Sequence, residues 1–223
     1  MVEIRMVIDK NCIVVLSGGP DSSVIAYWAK KQGYNIQCMT FKYGQIAEKE
    51  VKHADLIAQS LGVPIRIIDL SCLKDIFVGV TSLCDRNIVL TSVFSQPIVV
   101  PFRNAIFLSI AVSYAASIGA RRILYGAHGS DAKFYPDCRE EFYKSFEKAA
   151  RLGIEMDVQI LAPFSGISKA ELIRIGASLQ VPFQLTWSCY LDNEKHCGKC
   201  ESCVNRKQAF KQAGIADPTE YLE

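Results

Sequence analysis

Apolar and polar positions along the chain follow two alternating patterns. Short apolar runs of strand length, Cys12–Leu16, Asn35–Phe41, Ile65–Leu70, Ile123–Tyr125 and Val158–Ala162, end at glycine, proline or polar turns. Between them lie stretches with helical spacing. Ser22–Lys31 is stopped by Gly33. Gln45–Ser60 carries Ile46, Val51, Leu56 and Ile57 loosely on one face, with Gly62 beyond its end. Two more helices are expected from about Asn104 to Ser117 and from Arg139 to about Leu152. Ser168-Lys169-Ala170-Glu171 has the form of a capping box, opening a helix that runs to Leu179. Strands alternating with helices make βαβ units, so the expected fold is α/β, a doubly wound, mostly parallel sheet with helices on both faces. Two stretches escape the pattern. Residues 71–100 are apolar without helical spacing and fit a lid, a strand pair or a subunit contact, and beyond Pro182 the chain reads as irregular and cysteine-rich.

Composition narrows the class. Of 223 residues, half are hydrophobic and 22% charged, enough for a folded core without staples. The net charge of +2 announces no nucleic-acid surface, and the basic pairs Lys30-Lys31 and Arg121-Arg122 fall at expected element ends. No apolar run approaches the roughly 18 residues of a membrane span. Met1–Lys10 includes Glu3, Arg5 and Asp9 and does not read as a signal peptide, so a cytoplasmic location is expected. There, nine cysteines are not a disulfide framework. Cys12, Cys38, Cys72 and Cys84 read as small buried hydrophobes.

Two motifs carry chemistry. Leu16-Ser17-Gly18-Gly19-Pro20-Asp21-Ser22-Ser23 joins the first strand to the first helix. Its glycines let the backbone approach a phosphate, and the helix start offers free N–H groups with serine hydroxyls beside them. Asp21 fits a magnesium ion, or a carboxylate favoured by the helix dipole. The loop lacks the Gly-Lys-Ser/Thr ending of a Walker loop. The second motif is Cys197, Cys200 and Cys203 at spacing three, with Cys189 eight residues earlier, a donor set for a closed tetrahedral zinc site whose role is folding. His196 is placed outside that shell, against a ligand or at the surface.

The loop resembles the SGGxDS signature of PP-loop ATP pyrophosphatases, which cradle pyrophosphate and transfer AMP. Further stretches narrow the likeness: Phe41-Lys42-Tyr43-Gly44-Gln45, Val100-Pro101-Phe102-Arg103-Asn104, Tyr135-Pro136-Asp137-Cys138-Arg139, and Leu185-Thr186-Trp187-Ser188-Cys189-Tyr190 running into the cysteine cluster. From Val14 to about Pro218 the chain resembles the QueC family of 7-cyano-7-deazaguanine synthases. The resemblance implies an adenine nucleotide alpha hydrolase-like sheet over residues 1–183, with 184–223 as a zinc-binding segment packed on it. It implies a ligase that uses ATP, Mg²⁺ and ammonia to turn 7-carboxy-7-deazaguanine into the nitrile for queuosine or archaeosine, with a homodimer common and no nucleic-acid or membrane partner.

By the same resemblance, Leu16 to Ser23 and Tyr43 bind nucleotide, and Asp21, Ser22, Arg103 and Lys169 serve catalysis. Asp131, Tyr135, Asp137 and Arg139 are expected to bind the substrate, Arg139, like Arg103, by pairing with its carboxylate or with the ATP phosphates. The two acids would accept from the pyrimidine edge of the base, while Tyr135 or Phe134 would stack on it or pack the loop. Lys169 either reaches pyrophosphate or is an exposed helix lysine. Lys42 and Phe102 depart from the pattern, which has an acidic and a small residue there. A PP-loop enzyme acting on tRNA is the alternative reading, disfavoured by the low charge.

Overall fold

The computed structural model describes residues 10–127, 129 and 131–222; the side chains of Gln96 and Asp131, and the opening residues Met1–Asp9, lie outside that description. Five parallel strands form one sheet in the order β3-β2-β1-β4-β5: β1 (Asn11–Val15), β2 (Asn35–Lys42), β3 (Ile65–Asp69), β4 (Arg122–Leu124) and β5 (Gln159–Leu161). β1 is central because both neighbours pair with it: Ile13 lies opposite Gln37 on one side and Ile123 on the other.

The pleat of β1 sends alternate side chains into two separate cores. Cys12 and Val14 join Ile36, Cys38 and Leu124 beneath α1 (Pro20–Lys31), α2 (Lys49–Leu61), α6 (Lys169–Ser178) and α7 (Glu201–Ala213). Ile13 joins Met39, Ile123 and Ile160 beneath α4 (Arg103–Ile118) and α5 (Glu140–Ile154). Helices therefore cover both faces, as the alternation implies. The three buried residues of β1, Cys12, Ile13 and Val14, are apolar whichever face they point to, which a doubly covered parallel sheet requires.

Local chemistry sets the helix limits. α1 begins two residues earlier than its spacing suggests because Pro20 occupies the first helical position, where its fixed φ and missing N–H cost nothing. The Ser168–Glu171 capping box is present in both directions. α2 starts at Lys49 rather than Gln45; Gln45 is buried, accepting from Tyr43 N–H at 2.8 Å and donating to Phe41 C=O at 3.1 Å. Its buried face is Ala54, Ile57, Ala58 and Leu61, rotated from the face read off Val51 and Leu56.

Two further corrections concern the stretches that lacked periodicity. Residues 71–100 form no strand pair. They hold a short helix, α3 (Lys74–Phe77), and turns, closed around a core of Tyr43, Phe77, Leu83, Cys84, Ile98 and Val100. The cysteine-rich tail is not irregular throughout, since α7 runs for 13 residues and packs Ala209 and Phe210 into the first core. Cys12, Cys38 and Cys84 are buried, whereas Cys72 is exposed.

A candidate adenylation cavity beside a four-cysteine centre

Strand order reverses at β1, between β2 on one side and β4 on the other, and at such a switch point the loops after adjacent strands part to leave a crevice. The phosphate loop leaves β1 there. Gly18 has φ +85°, and a Cβ on it would lie 2.3 Å from the Glu50 carbonyl oxygen and 2.8 Å from the Ala54 nitrogen, so α2 packs directly on the loop. Ser17 and Ser22 brace it: their hydroxyls are 3.0 Å apart, Ser22 Oγ accepts from Ser17 N–H at 3.1 Å, and Ser17 Oγ accepts from Gly19 N–H at 3.4 Å. No side chain caps the start of α1, which leaves its first N–H groups to the crevice.

Leu16, Ser17, Gly19, Pro20, Asp21 and Ser22 line the cavity, as does Tyr43. Ser23 does not; it is fully buried, and its hydroxyl donates to Gly19 C=O at 2.7 Å, holding the turn. Lys169, at the first turn of α6, enters the cavity and pairs with Asp21 at 3.0 Å. Asp21 of the loop and Lys169 of α6 thus form a carboxylate–ammonium pair at the start of α1.

Across the crevice, Arg103 at the first turn of α4 donates to the Tyr43 hydroxyl at 3.0 Å. Burial opposes the charge on Arg103, but the Tyr43 phenol, Glu50 and Asp137 outweigh it and hold the guanidinium firmly protonated. Burial pushes the Tyr43 phenol up, so it stays neutral. Asp137 and Tyr135 line the same wall, and Asp137 accepts from Asn104 N–H at 3.0 Å, capping α4. Phe134 is turned to Phe94, their rings stacked at 4.4 Å, and packs the loop instead of lining the cavity. Arg139 is exposed, donates to Ala132 C=O at 3.0 Å and also lies outside it. Asp131 opens a short 3-10 turn, and its side chain is outside the described residues.

The two departures from the expected pattern are accounted for locally. Phe102 adopts φ 57° ahead of α4, the left-handed conformation in which a small residue, glycine above all, fits without strain. Lys42 pairs with Glu48 at 3.3 Å, outside the cavity.

Glu50, Asn104, Trp187, Ser188 and Tyr190 also line the walls, and the sequence reading assigns them no role. The signal for Glu50 lay in its phase: it shares a stripe with Ala54, Ile57 and Leu61, at intervals of four, seven and eleven, so it is an acid on a buried helix face. Its carboxyl is raised to about 7, chiefly by burial, with Arg103 pulling the other way.

The cysteine centre stands behind this wall. The Sγ atoms of Cys189, Cys197, Cys200 and Cys203 all lie within 4.8 Å of one another, and Cys197 and Cys203 are 3.9 Å apart. A tetrahedral zinc with Zn–S near 2.3 Å has sulfur–sulfur edges of about 3.8 Å, so the set fits that ion. Backbone N–H groups point at the sulfurs, from Cys197 to Cys189 at 3.3 Å and from Cys200 to Cys197 at 3.2 Å, as thiolates need. Hydrogen bonds from Cys189 and Cys203 hold the Cys200 thiol low. His196 is no part of the cluster: it is buried, and its Nε2 accepts from Ser188 N–H at 3.0 Å. Burial pushes it down to about 4, so it stays neutral and can accept.

The centre is tied to the phosphate loop by one segment. Trp187 N–H donates to Gly18 C=O at 2.9 Å, and its indole donates to Cys189 C=O at 2.8 Å. Arg206 of α7, 1% exposed, donates to Thr186 Oγ1 at 2.7 Å and Ser188 Oγ at 3.2 Å and pairs with Asp217 at 3.2 Å.

Comparison with known proteins agrees with this architecture. The family described as Queuosine biosynthesis protein QueC matches residues 11–214. The 7-cyano-7-deazaguanine synthase of Caldicellulosiruptor bescii is 39% identical over 95% of this chain and 97% of its own. That of Archaeoglobus fulgidus is 39% identical over 93% and 89%, respectively. Among solved structures, NMN synthetase from Francisella tularensis superposes with TM-score 0.52 at 15% identity, over 92% of this chain and 84% of that one. A 4-thiouridine synthetase solved with RNA and ATP gives TM-score 0.53 at 20% identity, over 92% of this chain and 50% of that one. Both share the fold.

Proposed function

The chain belongs to the QueC family, and from that premise we propose that it is a 7-cyano-7-deazaguanine synthase, a ligase that spends ATP to convert 7-carboxy-7-deazaguanine and ammonia into the nitrile. One observation carries the reading. The likeness is not confined to the phosphate loop but spans residues 11–214, within which every residue lining the cavity falls.

The residues suit the chemistry. A carboxylate resists attack by ammonia, so its oxygen must first be made a leaving group. It attacks the α-phosphorus of ATP and takes up AMP, and pyrophosphate departs. The N–H groups at the start of α1, the Ser17 and Ser22 hydroxyls and the Lys169 ammonium lie where negative charge builds on that leaving group. Arg103, fixed by Tyr43, is placed to pair with the substrate carboxylate or a phosphate. Asp137 and Tyr135 sit on the wall available to the flat base, Asp137 with one oxygen capping α4 and the other able to accept. Ammonia then displaces AMP to give an amide, and a second activation of the amide oxygen permits its loss as the nitrile forms.

Asp21 is the residue to hold magnesium: a single carboxylate beside a phosphate loop is the usual protein share of such a site, and the ion supplies charge neutralisation when bound. Zinc is the metal the four cysteines suit, in a closed site that leaves no open position for substrate. The cytoplasm, with its reduced thiols, is the matching compartment. No described helix is long and apolar enough to cross a membrane. The product serves queuosine or archaeosine formation, and a homodimer is the assembly this reading carries with it.

The test is turnover of purified protein with 7-carboxy-7-deazaguanine, ammonium, magnesium and ATP, following base and nucleotide by mass. Nitrile with AMP and pyrophosphate is expected. AMP without nitrile would redirect the assignment to adenylating enzymes that act on tRNA.

A further inference from the structure

Three carboxylates line the cavity, and two are engaged. Asp21 is paired with Lys169 at 3.0 Å, and Asp137 accepts from Asn104 N–H at 3.0 Å. Glu50 differs. Among the described residues no hydrogen bond or ion pair holds its carboxyl, although its main-chain oxygen abuts Gly18 of the phosphate loop. The groups that face it are the Arg103 guanidinium from α4, the Tyr43 phenol after β2 and the Cys84 thiol from the 71–100 excursion. It thus stands between the loop that takes pyrophosphate and the arginine placed for the substrate carboxylate. No histidine lines the cavity among the described residues, which leaves the reaction's proton steps without their commonest base.

We propose that Glu50 is the general base of the nitrogen steps, receiving the protons that nitrogen sheds while AMP leaves. This rests on the synthase reading above. In the first half-reaction the ammonia lone pair forms a C–N bond to the adenylated carbon. The C–O bond to the adenylate breaks, its electron pair leaves with AMP, and the surplus N–H proton passes to the Glu50 carboxylate. Glu50 returns that proton to solvent. In the second half-reaction the amide oxygen attacks the α-phosphorus of a second ATP, pyrophosphate leaves, and one N–H proton passes through Glu50 to solvent, which leaves an O-adenylated imidate with a single N–H. That last N–H proton goes to Glu50, the bond's electron pair becomes the third C–N bond, and AMP again departs with the oxygen. A carboxyl raised by burial to about 7 is matched to this cycle, since it accepts and releases protons near neutrality.

The experiment separates adenylation from nitrogen chemistry in Glu50→Gln. Acid-quenched mixtures with 7-carboxy-7-deazaguanine and ATP, with and without ammonium, are read by mass for acyl adenylate, amide and nitrile. Nitrile formation should fall by about 100-fold while adenylate formation changes by less than about threefold, so the adenylate accumulates. Glu50→Asp, which keeps the base but withdraws it, should recover part of the loss. Parallel loss of both steps in Glu50→Gln, with the protein folded by circular dichroism, would overturn the proposal, as would nitrile formation at the wild-type rate. Failure of the synthase reading shows instead in the wild-type protein, as the absence of any adenylate or nitrile, and would take this proposal with it.

Discussion

Single residues carry the strain and the charge on which the cavity depends. Gly18 is the tightest point, because α2 rests on it and its φ is positive. Gly18→Ala must push α2 and the loop apart, so we expect ATP affinity to fall by tenfold or more, read by nucleotide titration. Phe102 is the opposite case. A phenylalanine at φ 57° pays about 1–2 kcal/mol that glycine would not, partly offset by the freedom glycine gains on unfolding. Phe102→Gly should therefore raise the melting temperature by a few degrees. Glu50 makes a pH-dependent prediction. Its carboxyl is raised from 4.5 to about 7 in the folded state, so the native protein binds that proton more tightly than the unfolded chain. The resulting stability is complete below the unfolded value and is lost as pH rises through about 7. Glu50→Gln removes the cost of burying the charge, and by about 1.4 kcal/mol per unit it should be up to about 3 kcal/mol more stable than wild type at pH 8. The two should melt together near pH 4, below the unfolded value. The phosphate loop and the cysteines were legible because their chemistry is local in sequence. Glu50 was not, because its role comes from a helix phase that alanines help to mark, and alanine is a weak signal.

At the scale of elements, legibility followed the contrast between apolar and polar faces. β1, β2 and the capping box of α6 stood out, whereas α7 did not, because its buried stripe contains Glu201 and Arg206 beside Cys203, Ala209 and Phe210. Those charges are satisfied by partners far along the chain: Glu201 accepts from the Tyr190 hydroxyl at 2.7 Å, and Arg206 reaches Thr186, Ser188, Phe183 and Asp217. No periodicity in sequence reveals such pairing. Residues 71–100 were opaque for a related reason, since their small core closes around Tyr43, a residue from outside the segment. Arg206 tests the argument. Removing one partner of a buried ion pair costs about 3–5 kcal/mol because the other is left unpaired. Arg206→Met should lose that much in denaturant unfolding, and adding Asp217→Asn should restore part of it. Failure of the second change to help would mean that Arg206 acts through Thr186 and Ser188 alone.

Over the whole molecule, the sheet was legible from alternation, but the coupling between its two ends was not. The cysteine centre and the phosphate loop are about 170 positions apart in sequence, from Gly18 to Cys189, yet a single residue separates them in space, since Trp187 bonds the carbonyls of both. With zinc held as proposed above, the closed four-cysteine site would have no chemistry to contribute at the cavity. Its effect must pass through the Thr186–Tyr190 segment, which Arg206 and His196 hold from behind. Stripping zinc with a strong chelator should therefore do two separable things. The melting temperature should fall, because four clustered thiols lose the ion that binds them together. Nucleotide affinity should fall as well, at temperatures where the sheet is still folded, because Gly18 loses its brace. Metal content by mass spectrometry should show one zinc per chain before treatment, and re-addition should restore both properties. A lower melting temperature with unchanged ATP affinity would mean that α2 alone fixes the phosphate loop, and that the tail is stabilised by the metal without transmitting anything to the site.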